Sequence, residues 1–272
     1  MRLSSFKSWS RTQSPFWLVI TVSFALWTLV IGCGGTVDLA AERHAKAVKA
    51  LLNLGADVRD EEDEASHEHG TFVILFAEHL TRDGRIEDRI LVLIRDIQSC
   101  FLGLNNTPVT DAAMPELARL QELRLLNLHN TKITDDGVAL IAKSKQIRLL
   151  KLSRSQVTDA GVAHLTEMPS LKMVYLGESS VTDEGLQHLT KIPQLEAIKL
   201  SQLPISDVGV RLLATMPRLR FLGLDDTNIS DAGLALLTNL PNLAYLDLQD
   251  TAVSTAAVKA FQKKSPKCRV DY

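Results

Sequence analysis

The chain has 272 residues, of which 46% are hydrophobic and 23% charged, so its composition is that of a folded protein rather than a disordered one. A formal net charge of −2 lacks the basic excess of nucleic-acid-binding domains, and no nucleic-acid partner is expected. Three cysteines are too few and too scattered for a disulfide framework.

The first 33 residues predict a signal or anchor segment. Arg2, Lys7 and Arg11 precede an uncharged apolar run over residues 15–32, a pattern typical of export. The run is long enough to span a bilayer as a helix, and it ends at Cys33 in a context that resembles the bacterial lipobox, whose cysteine receives a lipid. A lipoprotein, an uncleaved membrane anchor and a secreted protein all remain open. Each outcome places the repeats outside the cytoplasm, at the cell envelope for the two anchored forms.

Residues 34–98 predict an N-terminal cap for the repeats that follow. Apolar residues at helical spacing indicate an amphipathic helix over 39–55, and an acidic loop over 60–68 comes next. Residues 71–76 read as a strand, whereas the apolar segment 89–94 fits either a strand or a buried helix. Terminal units of a repeat array are atypical because they must cover its open core.

Seven copies of a 24-residue unit occupy residues 99–264. Six of them carry an aspartate at the same position, and Thr255 stands there in the seventh. The second copy shows the pattern, L-x-x-L-x-L-x-x-T-x-I-T-D-x-G-V-x-x-I. A repeat of about 20 to 29 residues that begins L-x-x-L-x-L is typical of a leucine-rich repeat solenoid. The six aspartates are Asp111, Asp135, Asp159, Asp183, Asp207 and Asp231.

Alternation within each copy predicts one short strand. In the second copy Leu126 and Leu128 point inward, while Leu125, Asn127 and His129 point outward. The equivalent inward residues of all copies form a ladder that dominates stability, at roughly 1.5–3 kcal/mol per buried aliphatic side chain.

The polar residues of the unit predict a turn followed by a helix. A threonine or serine hydroxyl three residues after the second inward leucine can satisfy backbone groups at the bend, except where Leu203 replaces it. Thr-Asp or Ser-Asp then provides a helix N-cap. A glycine two residues after the aspartate is unfavourable in a helix, and we infer a close backbone approach there.

The terminal cysteines of the array are expected to be unpaired and buried. Cys100 enters the first copy and Cys268 follows the last, about 30 Å away at a strand spacing of about 4.8 Å. The final segment, 265–272, begins a further strand without a helix and predicts a C-terminal cap.

The unit resembles the cysteine-containing subclass of leucine-rich repeats, found in F-box substrate receptors and in exported bacterial proteins with short arrays. Threonine or serine stands where that subclass has cysteine, and no F-box precedes the repeats, so the exported bacterial type is favoured. The resemblance implies an α/β, right-handed solenoid shaped like a horseshoe, with parallel strands on the concave face and helices on the convex face. The hydrophobic N-terminal helix would precede it.

The outward strand positions predict a partner-binding concave face. The first outward column is apolar throughout, either because it is an exposed interaction stripe or because it packs against its own edge. Polar positions change sign along the array, from Lys151, Arg154 and Lys199 to Asp225, Asp226, Asp247 and Asp250. The predicted partner-binding residues are Phe101, Leu125, Asn127, His129, Lys151, Met173, Tyr175, Lys199, Phe221, Asp225, Tyr245 and Asp247.

No motif for catalysis, a phosphate loop or a metal site is present, so an enzyme, a cofactor and a bound metal are not expected. His67 and His69, in the acidic loop, lack the helical spacing and distant third ligand of a catalytic zinc site. The sequence therefore predicts a module that binds a protein at the cell envelope. A structural or self-associating envelope component is the alternative, and an F-box-type receptor is the weakest one.

Overall fold

A computed structural model of the chain describes residues 38–62 and 69–272. The predicted signal or anchor segment, with its hydrophobic helix and Cys33, lies outside the described residues. Within the described part, every helix is too short or too polar to cross a bilayer.

The described chain is built on one ten-stranded sheet whose strands stand side by side in chain order. The first two strands pair antiparallel, and every later neighbour pairs parallel. The strands are β1 (Asp57–Glu62), β2 (His69–Ile74), β3 (Cys100–Gly103), β4 (Leu123–Asn127), β5 (Leu149–Lys151), β6 (Met173–Tyr175), β7 (Ala197–Lys199), β8 (Phe221–Gly223), β9 (Tyr245–Asp247) and β10 (Arg269–Asp271).

A helix follows each of the seven strands β3 to β9, and successive helices of the repeats pack against one another. The predicted alternation of strand and helix is therefore confirmed. The helices are α1 (Leu39–Asn53), α2 (Asp88–Ile94), α3 (Met114–Leu117), α4 (Asp135–Ile141), α5 (Asp159–His164), α6 (Asp183–Leu189), α7 (Asp207–Leu213), α8 (Asp231–Leu236) and α9 (Thr255–Lys264).

The predicted inward ladder forms the core between the sheet and the helices. Its fourteen side chains, two per copy from Leu102 to Leu248, are each 1% exposed or less. Cys100 and Cys268 are free and buried at the two ends of the array, as expected. At roughly 1.5–3 kcal/mol per buried aliphatic side chain, this ladder is a major stabilising contribution.

The N-terminal part differs from the prediction in one element. The helix α1 and the strand β2 are confirmed, and the ambiguous segment 89–94 is helical. However, Asp60 and Glu61 lie in strand β1 rather than in a loop. Their strand forms because β2 offers a complete antiparallel partner, and the Thr71 hydroxyl donates to Asp60 Oδ1 at 2.6 Å.

A buried histidine ties the N-terminal helix to the sheet. His79 is 1% exposed; its Nδ1 accepts from the backbone N–H of Phe76 and its Nε2 lies 2.9 Å from the carbonyl oxygen of Leu54. Because both ring nitrogens have backbone partners, the end of α1 and the chain after β2 are held together.

The backbone of the turn after each repeat strand has the same conformation in all seven copies. One residue per turn has a positive φ between 53° and 59°, a region that costs energy for side chains other than glycine. The next residue closes the turn: the predicted hydroxyls of Thr107, Thr131, Ser155, Thr227 and Thr251 donate to the carbonyl oxygen three residues earlier at 2.6 to 2.7 Å. Ser179 differs, because its buried hydroxyl has no hydrogen-bond partner among the described residues. Leu203 fills the position with an apolar side chain.

An aspartate of each repeat binds the helix start of the next, in an arrangement that we call the inter-repeat clamp. Thr134 donates to Asp111 from its backbone N–H at 3.0 Å and from its hydroxyl at 2.6 Å. The same hydroxyl accepts from the N–H of Asp136, as the predicted N-cap requires. Gly137 lies directly beneath the carboxylate, since a Cβ there would stand 2.1 Å from Asp111 Oδ1. The inferred close approach is thus real, but a side-chain carboxylate makes it, not a backbone.

The clamp recurs with the same geometry along the array and changes at its end. Five further pairs repeat both hydrogen bonds: Asp135–Thr158, Asp159–Thr182, Asp183–Ser206, Asp207–Ser230 and Asp231–Ser254. In the last repeat Ala257 replaces the glycine, and Ser254 caps the N–H three residues later instead of two. A changed cap therefore accommodates the alanine.

Candidate functional site: the concave face

The face of the sheet that the helices do not cover is the concave face. Its side chains form columns because parallel strands pair in constant register, so that equivalent residues stand one strand spacing apart. The first column runs from Phe101 to Tyr245, and the second runs from Asn127 to Asp271. The second column reads Asn127, Lys151, Tyr175, Lys199, Gly223, Asp247 and Asp271.

The first column is a small second core, not an exposed stripe. Five of its seven residues are buried and form one cluster: Phe101, Leu125, Leu149, Met173 and Ala197. Each side chain is in contact with its column neighbours at a spacing of about 4.8 Å, and Phe72 packs edge-on against Phe101 at 4.8 Å between ring centroids. Of the two interpretations of this column, packing rather than an exposed stripe holds at these five positions, because the column covers itself.

The last two members of the first column remain half-exposed. The rings of Phe221 and Tyr245 stack nearly parallel, with centroids 4.9 Å apart. The Tyr245 hydroxyl donates to Asp271 Oδ2 at 2.8 Å. Burial of the phenol, its hydrogen bond to Asp271 and the nearby carboxylates raise the pKa of Tyr245, so this hydroxyl stays protonated. An aromatic surface is thus available at the C-terminal end of the face.

Cations and one aromatic ring occupy the middle of the second column. The Lys151 ammonium lies 5.3 Å from the ring centroid of Tyr175, a cation–π contact. Lys199 stands on the other side of Tyr175. Beyond it, Gly223 leaves a gap in the column, which the Lys199 stem approaches within 3.0 Å of where a Cβ would be.

Polar groups surround the N-terminal end of the face. The side chain of Asn127 donates to Asn105 at 3.3 Å, and Arg154 pairs with Glu178 at 2.6 Å. Burial and the charge of Arg154 lower the pKa of His129, with Lys151 adding to the effect and Glu178 opposing it. The imidazole of His129 is accordingly neutral at neutral pH.

Carboxylates gather at the C-terminal end. Asp225 accepts from the Ser201 hydroxyl at 2.6 Å, and Asp247 accepts from the Gln249 N–H at 3.2 Å. The pKa of Asp247 is raised, first by burial and further by the charges of Asp225 and Asp271, although the Gln249 bond and the Lys199 charge oppose the shift. These negative charges therefore repel one another.

Sequence reasoning missed the contribution of β10 to this end. Asp271 continues the second column beside Asp247, and the Arg269 guanidinium lies 5.6 Å from the ring centroid of Tyr245. Aligning R-V-D of the last strand with Y-L-D of β9 would have shown both residues.

The comparisons with known proteins concern the fold. No protein-family model matches the chain, and no curated protein matches it. Among solved structures, it is similar to internalin C2 of Listeria monocytogenes, with 23% identity and a TM-score of 0.55 over 80% of this chain and 88% of the internalin chain. A second internalin of that organism, InlF, gives 18% identity and a TM-score of 0.49 over 71% of this chain and 59% of its own. Internalins are leucine-rich repeat proteins.

The fold is that of a leucine-rich repeat solenoid.

In this leucine-rich repeat solenoid, the second column and its neighbours supply hydrogen-bonding, charged and aromatic groups on a rigid sheet. Within residues 38–62 and 69–272, no three His, Cys, Asp or Glu side chains are grouped so that they could hold a metal ion. The arrangement is suited to binding a surface or an extended chain, with the buried first column as its support.

Proposed function

We propose that the chain is a non-enzymatic protein-binding module displayed at the cell envelope, with its ligand on the concave face. One observation carries the proposal. Side chains of the second column change at almost every strand, whereas the residues of the inter-repeat clamp recur in every interior copy. Residues that do not hold the array together are available to contact a partner.

The structure narrows the set of candidate contact residues. The five buried members of the first column cannot be reached and would act by supporting the face. The accessible candidates are Asn127, His129, Lys151, Tyr175, Lys199, Phe221, Asp225, Tyr245 and Asp247, each half-exposed. Aromatic residues are common energetic centres of interfaces, so Tyr175 and the Phe221–Tyr245 pair would be the anchors.

A protein-interaction role agrees with the leucine-rich repeat fold that the chain shares with internalin C2. Display at the envelope is inferred from the basic and apolar pattern of the first 33 residues, with attachment by a lipid on Cys33, by a membrane helix, or release by cleavage.

The test is capture by the concave face. Residues 34–272, fixed to a resin, are exposed to an envelope extract, and retained proteins are identified. The test variant combines Tyr175→Ala with His129→Ala, two half-exposed residues of the concave face. The control combines Val92→Ala with Val208→Ala, which are 56% and 62% exposed on helices α2 and α7.

We expect a protein that is retained by the wild type and by the control but lost in the test variant, with unchanged thermal unfolding of both variants. Equal retention by both variants would place binding elsewhere. Retention of nothing but further copies of the chain would favour the structural, self-associating role.

A further inference from the structure

The charge of the concave face reverses at one place along the array. Lys151 and Lys199 flank Tyr175 on β5 and β7, and the second column turns acidic with Asp247 on β9. Gly223, on β8, carries no side chain between the two signs. The face therefore has a basic half and an acidic half, each with aromatic surface: Tyr175 in the first, the Phe221–Tyr245 pair in the second.

The charges nearest to the boundary act on one another, as Lys199 does on Asp247, but without a direct ion pair. Lys199 forms no ion pair with another described residue, and neither do Asp225 and Asp247, which accept only hydrogen bonds from Ser201 and Gln249. Two other charge pairs on neighbouring copies do form ion pairs, Arg154 with Glu178 and Lys172 with Glu196.

The acidic side holds one cation, Arg269, which pairs with Asp271 at 3.0 Å, whereas Asp247 has no ion-pair partner among the described residues. Asp247 stands between Asp225 and Asp271, and those carboxylates add to burial in raising its pKa. A cationic group placed above β8 and β9 would remove this repulsion, since opposite charges favour the ionised carboxylate.

We propose that the partner presents an extended segment that crosses the strands, with an acidic residue over Lys199 and a basic residue over Asp225 and Asp247. This inference rests on the proposed function and names the chemistry of the ligand. Lys199 and Asp247 are two strand steps apart, about 10 Å. An extended chain covers this distance in about three residues. The expected recognition pattern is therefore one acidic and one basic residue separated by about two others.

The probes are synthetic peptides in which a pair of glutamates and a pair of lysines are separated by none to about six serines. An isomer of the same composition, in which glutamates and lysines alternate, is the control. Binding to the full-length chain in a neutral detergent is measured by fluorescence anisotropy at low ionic strength. We expect about tenfold tighter binding of the peptide with about two intervening serines than of the alternating isomer, and loss of this difference at about 0.5 M salt.

Neutralising variants locate the site. Lys199→Gln and Asp247→Asn should each weaken the binding of that peptide by about threefold, the effect of losing one exposed ion pair. Lys259→Gln and Asp136→Asn change the net charge equally but lie exposed on helices α9 and α4, and they should have no effect.

Equal binding of the alternating isomer, equal weakening by the helix controls, or no peptide binding at all would overturn the inference. A dimer in sedimentation that Lys199→Gln dissociates would also overturn it, by assigning the charged face to a second copy of the chain. The capture experiment with Tyr175 and His129 does not depend on these charges. Capture without the peptide preference would therefore overturn the charge pattern alone. The peptide preference without capture would overturn the proposed function.

Discussion

The inter-repeat clamp and the concave face belong to the same 24-residue unit but use it in opposite ways. At the clamp, aspartate, threonine or serine, and glycine return in each interior copy and contact the next copy through the same two hydrogen bonds. On the concave face, the second column changes from asparagine to lysine, tyrosine, glycine and aspartate. The difference teaches that periodic residues join the repeats, whereas the non-periodic ones give the concave face its individual chemistry.

The largest effect is expected from filling the space under a clamp. In Gly185→Ala the new Cβ would stand 2.3 Å from Asp159 Oδ1 and 3.0 Å from Val181 Cγ1. The free energy of unfolding should fall by about 3 kcal/mol, the upper range for overpacking, as measured by urea denaturation. The control is Ala257→Gly in the last repeat, which should cost about 1 kcal/mol or less. Unchanged stability of Gly185→Ala would show that the clamp is looser than described.

Removing the carboxylate of the same clamp should cost less. Asp159→Ala deletes the acceptor of the Thr182 N–H at 2.8 Å and of its hydroxyl at 2.7 Å, a loss of about 2 kcal/mol. Combined with Gly185→Ala, the total loss should be smaller than the sum, because the missing carboxylate makes room for the new methyl group. Additive losses in this double-mutant cycle would mean that aspartate and glycine act independently.

The turn hydroxyls allow a comparison between two neighbouring copies. Ser155→Ala removes a buried hydrogen bond of 2.6 Å to the Leu152 carbonyl and should destabilise the fold by about 1 kcal/mol. Ser179→Ala removes a hydroxyl that has no described partner and should be neutral or slightly stabilising. Thermal unfolding of the two variants side by side would decide this, and equal losses would contradict it.

The smallest effect is expected on the concave face, with the opposite sign. The pKa of Asp247 is raised in the folded chain, so the folded state binds its proton more tightly than the unfolded state does. The contribution of Asp247 to the free energy of unfolding thus declines as pH rises from about 4 through the folded pKa. Asp247→Asn should increase the free energy of unfolding at pH 7 by less than about 1 kcal/mol, with no gain near pH 3. A destabilised variant at pH 7 would show that the carboxylate is not under repulsion.

The array was predictable from the sequence because its signals are local and repeated. The inward leucines, the N-caps and the turn hydroxyls each act within one copy. The leucines were confirmed throughout, the caps from Thr134 onward, and the hydroxyls except at Ser179. The clamp was predictable only in part. Gly185 signals that something comes close, but the sequence does not say that Asp159, of the preceding copy, is the group that does so, because this contact depends on how the copies stack.

The concave face was less predictable for a physical reason. Alternation shows on which side of the sheet Leu125 and Leu149 lie, but not whether that side is covered. Burial there results from contact between equivalent residues on adjacent strands, which repeats of large apolar residues make possible. Strand β1 was missed for a related reason, since its acidic sequence has no apolar alternation and its pairing with β2 supplies the order.

Because both sides of every interior clamp carry matching residues, the array can be lengthened in fixed steps. A further 24-residue copy inserted between Tyr175 and Phe221 would have a clamp aspartate in the copy before it and a clamp glycine in the copy after it. The insertion would move the two aromatic anchors apart by about 4.8 Å while leaving their own surroundings unchanged. The number of copies thus sets the length of the concave face, and length becomes a property that can be changed separately from chemistry.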